Sequence, residues 1–334
     1  MADLTDTIAG IHHVTAITAD PQRNLDFYTG VLGLRLVKLT VNFDDPGAYH
    51  FYFGDALGHP GTILTFFAWP GAPRGRQGTG QAAVVAFAIP QAALGFWLER
   101  LTQHGVRYET PSAHFEKKVV AFKDPDGLLL ELVTDPQAAE HPAWQQGPVP
   151  PEQAIRGFHS VTLWEEGYER TAELLTETFG FRLLATEENT YRYAASGEQG
   201  PATLVDVRCA PGFWRGSVAA GTIHHVAWRT PDDAAQLRWR ERLVALGLNV
   251  TPVIDRTYFH SIYFREPGGV LFEIATLPPG FTVDESADAL GTALKLPPWL
   301  EPQRADIEQI LPPVRLPGTT QRTPAGDYAN QIEE

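Results

Sequence analysis

One thirteen-residue phrase occurs twice in this chain. FKDPDGLLLELVT at 122–134 and FREPGGVLFEIAT at 264–276 agree in character at every position. Each reads as a strand, a tight acidic turn closed by glycine, and a second apolar strand. Each places one glutamate, Glu131 or Glu273, among apolar neighbours. Internal repetition constrains the fold more than any single motif, because each copy must adopt the same local structure and share its apolar face with another copy.

A second signal recurs four times. An apolar helical pattern ends on a glycine and a strand follows, at Gly33, Gly105, Gly180 and Gly247. Glycine there supplies the left-handed residue that closes a helix. Asp20-Pro21 and Thr230-Pro231 predict N-caps followed by proline at the first helical position. Leu25, Tyr28 and Leu32 fall on one helical face, as do Trp97, Leu98 and Leu101 in the second copy and Leu243 and Leu246 in the fourth. A strand precedes each helix (IHHVTAIT, AVVAFAI, FHSVTLW, IHHVAWR) and about three follow it.

The unit is therefore βαβββ, and four copies fill roughly 8–276. The predicted class is α+β, with four units forming two paired half-barrel domains. The expected N-terminal domain is 8–134, with units at 8–69 and 82–134. A Pro/Gln/Glu-rich linker follows at 135–156. The expected C-terminal domain is 157–276, with units at 157–208 and 222–276. A Pro-rich tail, 277–334, carries a short helix near 304–311 and is expected to be mobile from about Pro317.

The repeat makes the histidines comparable. IHHV occurs in the first strands of units one and four, whereas unit three has Phe158-His159-Ser160 and unit two has no histidine there. Neighbouring strand residues point to opposite faces, so one histidine of each pair can enter the concave face. His159 repeats the first histidine without the second, which singles out His13 and His225. At the last-strand position unit four offers Glu273. Two imidazoles and a carboxylate form a ligand set that leaves coordination positions open on non-heme Fe(II), or hold Zn(II) with a water. Glu131 lacks matching histidines and reads as an ion-paired or solvated remnant of the repeat.

Composition excludes several classes. The formal net charge is −14, against wrapping nucleic acid or lying on an anionic membrane. No apolar run is long enough to cross a bilayer, and the N-terminal segment 1–10 lacks the features of a signal peptide. The single cysteine, Cys209, excludes an intramolecular disulfide and suits a cytoplasmic setting. A homo-oligomer is compatible with these data.

With these residues in hand, the chain resembles the vicinal oxygen chelate superfamily, which includes glyoxalase I, extradiol ring-cleaving dioxygenases and bleomycin-resistance proteins. FYTGVLGLRLV, DPDG and EPGG carry that resemblance. GIHHVTAITAD, YHFYFGDALGHPGTILTFF, RGFHSVT, IHHVAW and the tail LGTALKLPPWL look like the hydroquinone-type ring-cleaving dioxygenases. The resemblance implies Fe(II), sometimes Mn(II), held by His13, His225 and Glu273. Catechol-type extradiol enzymes take their first histidine from the third unit, where Ser160 stands here. The groups around the ligands would be His12, Thr15, His224, Arg256 and Tyr263, with His12, His224, Arg256 and Tyr263 assigned to catalysis. The implied partners are a small hydroquinone- or catechol-type aromatic and O₂. The rival readings are a glyoxalase-type isomerase or thiol transferase, which would want a further carboxylate near Thr65–Phe66, and a non-catalytic binder of aromatic drugs.

Overall fold

The computed structural model describes residues 7–195 and 202–318, so the end of the chain beyond 318, expected to be mobile, lies outside the described residues. Each unit supplies four strands. Unit one contributes β1 (Ile11–Thr18), β2 (Arg35–Asn42), β3 (Asp45–Gly54) and β4 (Ile63–Ala68). Unit two contributes β5 (Gln81–Ile89), β6 (Ser112–His114), β7 (Lys117–Lys123) and β8 (Leu129–Thr134). Unit three contributes β9 (Phe158–Glu165), β10 (Arg182–Glu187), β11 (Thr190–Ala194) and β12 (Leu204–Cys209). Unit four contributes β13 (Ile223–Thr230), β14 (Ile254–Asp255), β15 (His260–Arg265) and β16 (Leu271–Thr276). The helices are α1 (Pro21–Leu25), α2 (Leu94–Gln103), α3 (Glu169–Glu173), α4 (Asp233–Ala245) and α5 (Arg304–Ile310).

The helix signals operate as physical chemistry requires. The Asp20 carboxylate accepts from the Arg23 amide at 3.0 Å and opens α1. α1 and α3 each run on into a wider π-type segment, Asp26–Val31 and Leu174–Thr178. All four closing glycines have φ between 68° and 80°. One boundary differs from expectation. Thr230 ends β13, and the cap of α4 is Asp232, whose carboxylate accepts from the Ala235 amide at 2.8 Å. The carboxylate reaches the orphan amide, and the strand keeps Thr230. Leu243 is buried as expected, but Leu246, the residue at the cap, is exposed.

The units do not pair in the order of the chain. One eight-stranded sheet runs β14-β15-β16-β13-β1-β4-β3-β2 and joins unit four to unit one. The other runs β10-β11-β12-β9-β5-β8-β7-β6 and joins unit three to unit two. The division expected at 135–156 therefore falls within one sheet rather than between two. The connectors explain this. The segments after β4 and after β12 run beside each other, bridging Arg74 to Ala220, Arg76 to Ser217 and Thr79 to Arg215. Each carries the chain from one sheet to the other. A single apolar cluster, including Phe27, Phe66, Phe87, Trp97, Leu130, Val161, Trp228 and Phe272, joins the two sheets to their helices. The tail packs across unit one: Leu294 bridges Leu39, and the fully buried Lys38 ammonium meets Asp284 at 2.6 Å and also Glu285.

Candidate metal centre

β1 and β13 are antiparallel neighbours at the middle of the first sheet, with His225 opposite Thr15 and His13 opposite Ala227. That pairing brings the two IHHV strands together. His13 Nε2 lies 3.3 Å from His225 Nε2. β16 runs parallel to β13 with Glu273 beside Ala227. Glu273 Oε2 is 2.9 Å from His225 Nε2 and 3.3 Å from His13 Nε2. All three side chains are buried, and their candidate ligand atoms fall within 4.8 Å of one another.

The donor set fits a divalent cation. Ser261 Oγ donates to Glu273 Oε1 at 2.5 Å, while the buried Oε2 faces only the two imidazole Nε2 atoms. A carboxylate oxygen left in that condition lacks a partner that a cation would provide. Burial alone would raise the Glu273 pKa, yet the two imidazoles hold it well below the usual carboxylate range. Burial pushes the His225 imidazole down, toward the neutral form a ligand must have.

His12 and His224 do not enter the cleft. Each turns its ring toward the histidine that follows it: His12 Nδ1 is 3.0 Å from His13 Nδ1, and His224 Nδ1 is 2.8 Å from His225 Nδ1. A ring that ligates through Nε2 carries its proton on Nδ1, so His13 and His225 would donate and His12 and His224 accept. His12 then keeps its proton on Nε2, consistent with its hydrogen bond to the Thr276 backbone. Burial, and then the adjacent imidazole, lowers His12 and His224 to about 3, leaving both neutral acceptors. His159 makes the same contact with Ser160 Oγ at 3.1 Å, without an imidazole to orient.

Arg256 and Tyr263 both reach the cleft. Arg256 Nε donates to the Tyr263 hydroxyl at 3.3 Å, and Nη2 meets Asp44 at 3.0 Å. Burial raises the Tyr263 hydroxyl and Glu273 raises it further, so it stays protonated. Thr15 is buried opposite His225 and shares a 2.8 Å hydrogen bond with Thr65. The cleft is also lined by Asn42, Phe43, His50, Tyr52, Phe67 and Phe259. Its free volume is about 30 Å³, room for a water or two rather than a benzene ring.

Sequence reasoning did not find His50 and Tyr52, but strand register places them. Thr65 lies beside Thr15, two residues past His13, as Glu273 lies beside Ala227, two residues past His225. Tyr52 pairs with Thr65 as Tyr263 pairs with Glu273, and His50 takes the place of Ser261. His50 Nε2 bonds Thr65 Oγ1 at 2.8 Å, and burial holds the ring well below its ordinary pKa. Alternation in YHFYF already put His50 and Tyr52 on one face. Their use needed the pairing of unit one with unit four.

A family profile described as Glyoxalase/Bleomycin resistance protein/Dioxygenase superfamily matches residues 10–132 and 157–274. The chain belongs to this superfamily. Among its relatives, the Bacillus subtilis protein MhqO, which carries a provisional ring-cleaving dioxygenase name, is 49% identical over 307 residues, covering 92% of this chain and 97% of that one. A chlorohydroquinone/hydroquinone 1,2-dioxygenase of Sphingobium indicum is 35% identical over 311 residues, covering 90% and 95%. The crystal structure of a provisionally named Bacillus subtilis dioxygenase superposes with a TM-score of 0.89 at 47% identity, covering 93% of this chain and 99% of that one. Glyoxalase I from Zea mays, at 16% identity and TM-score 0.60, shares the fold across 80% of this superfamily member and 92% of its own chain.

Proposed function

We propose that this protein is a non-heme Fe(II)-dependent dioxygenase of the extradiol type, with Mn(II) as the alternative ion. It would insert O₂ into a hydroquinone- or catechol-type ring beside a ring hydroxyl. The convergence of His13 Nε2, His225 Nε2 and the buried Oε2 of Glu273 carries the reading. The relatives named as ring-cleaving dioxygenases support it. When bound, the ion supplies Lewis acidity toward the ring hydroxyl and electron exchange with O₂.

The chain's own residues supply the rest. His12 and His224 position the two ligand imidazoles. Tyr263, protonated and next to the Arg256 guanidinium, is aimed to give a proton to a developing oxyanion. Arg256 is matched to an anionic group on the substrate. His50 is a neutral imidazole for holding a ring hydroxyl. Phe43, Phe67 and Phe259 supply apolar walls and exclude water. The cleft is too small for a ring, so substrate entry requires its lining to move; Arg256, which lines it, is held by the mostly exposed Asp44. A glyoxalase-type reaction is disfavoured, because Thr65 stands where the symmetric carboxylate would be. A metal-free binder has no use for a buried His/His/Glu cluster.

The test is metal analysis of anaerobically purified protein, followed by oxygen-electrode assays with hydroquinones and catechols. One O₂ consumed per ring opened, abolished by Glu273→Gln, is the expected result. Isomerisation of a hemithioacetal without O₂ uptake would overturn the assignment.

A further inference from the structure

The second sheet carries a cleft of its own. Val84 takes the place of His225, because Glu131 pairs with Ala86 two residues beyond it, as Glu273 pairs with Ala227. Ser160 takes the place of His13, with Asp206 beside Thr162. The imidazoles are gone, and among the described residues no metal triad remains here. Asp206 is spent on Arg192, which holds both its oxygens at 2.7 Å. Glu131 makes no hydrogen bond or ion pair among the described residues, which removes the ion-paired alternative of the ion-paired or solvated remnant expected from sequence.

This cleft nevertheless has a volume of about 610 Å³, far larger than the one at the metal centre. Its apolar lining includes Val84, Leu129, Tyr108 and Trp164. Leu129 and Trp164 are half-buried, and Phe122 and Leu130 of the common core also line the cleft. Its rim is cationic. Arg74, Arg107, Lys123 and Arg208 line it and are exposed, and none has a carboxylate within ion-pair distance among the described residues; the lining also includes the exposed Glu109 and the more enclosed Asp124 and Glu131. Arg208 lies over the Trp164 ring, 5.1 Å from its centre. In a chain of net charge −14, four exposed cations without ion-pair partners, against the one exposed carboxylate of Glu109, leave this concavity a local excess of positive charge that attracts anions.

We propose that the cleft of the second sheet is a separate binding site for a small anion with a flat apolar body, such as an aromatic carboxylate. The ring would lie against Trp164, Leu129 and Val84, and the carboxylate would meet Arg107, Lys123 and Arg208. An open cleft with an aromatic wall and a few convergent charges is the usual form of a small-molecule site. The proposal stands independently of the reaction at the metal centre, since no residue of the triad lines this cleft.

The probe is 2-naphthoate, followed by its fluorescence on titration with the full chain. 2-Naphthalenemethanol tests the need for charge, and inorganic phosphate tests the need for an apolar body. Saturable binding of naphthoate is expected, equally strong in Glu273→Gln, with the alcohol and phosphate each at least tenfold weaker. The triple variant Arg107→Gln/Lys123→Gln/Arg208→Gln changes only exposed side chains. It should bind naphthoate about tenfold or more weakly, since each exposed charge contributes a few-fold. Three results would overturn the proposal: no saturation up to millimolar probe, equal affinity for the alcohol, or binding that survives the triple variant and is lost in Glu273→Gln.

Discussion

Replacing His12 by phenylalanine tests how the metal centre is held. The ring volume is nearly kept, so the packing against Phe259, whose ring centre lies 5.0 Å from that of His12, is preserved. What is lost is the Nδ1 acceptor 3.0 Å from His13 Nδ1, together with the hydrogen bond to the Thr276 backbone. Both histidines are only 2% exposed, so water cannot replace it. An unsatisfied buried N–H costs about 1–3 kcal/mol. The His13 ring can escape that cost by moving its proton to Nε2, the atom that should ligate. Metal affinity should therefore fall about 10–100-fold, the usual scale for losing the partner of a ligand histidine. His224→Phe should do the same through His225. The assay is anaerobic competition for Fe(II) or Mn(II) against a chromophoric chelator, with thermal melting of the metal-free protein as the folding control. A folded His12→Phe protein with affinity within twofold of wild type would refute the tautomer argument.

Tyr263→Phe should lower kcat about 100-fold or more while leaving KM within a few-fold, read by O₂ uptake, because only the proton donor is removed. Asp44→Asn should lower KM for substituted rings by loosening the Arg256 contact at the cleft; an unchanged or higher KM would count against that latch. Lys38→Met should destabilise the fold by about 3–5 kcal/mol in denaturant titrations, since it strands the carboxylates of Asp284 and Glu285 beside a buried site. Glu165 is pushed up to about 9 from an ordinary 4.5, first by burial and then by Glu266. The folded state keeps that proton while the unfolded chain gives it up, so this residue's contribution is fully present below about 4.5 and is lost as pH rises to 9. Glu165→Gln should therefore melt progressively higher than wild type across that window, and parallel pH–melting curves for the two would contradict it.

The sequence by itself determined the parts. Glycines 33, 105, 180 and 247 close four helices because a left-handed residue is a local requirement. The two turn phrases put Glu131 and Glu273 at one strand position, and alternation together with the His159-Ser160 of unit three singled out His13 and His225. These features depend on neighbours a few residues away, and so they can be read from the string. Only the tertiary structure decided which units share a sheet. Four similar units present similar strand edges, so local pattern cannot choose a partner. The choice is made by the connectors at 69–80 and 210–222, which run together and carry the chain between sheets. That choice joins β1 to β13, gives His50 and Tyr52 the positions in unit one that Ser261 and Tyr263 hold in unit four, and puts Val84 and Ser160 at the corresponding strand positions of the second sheet, without imidazoles. It also settles the first histidine of each IHHV pair. Alternation could turn His12 and His224 away from the cleft, but only packed rings show what they face: the Nδ1 atoms of the two histidines that meet Glu273.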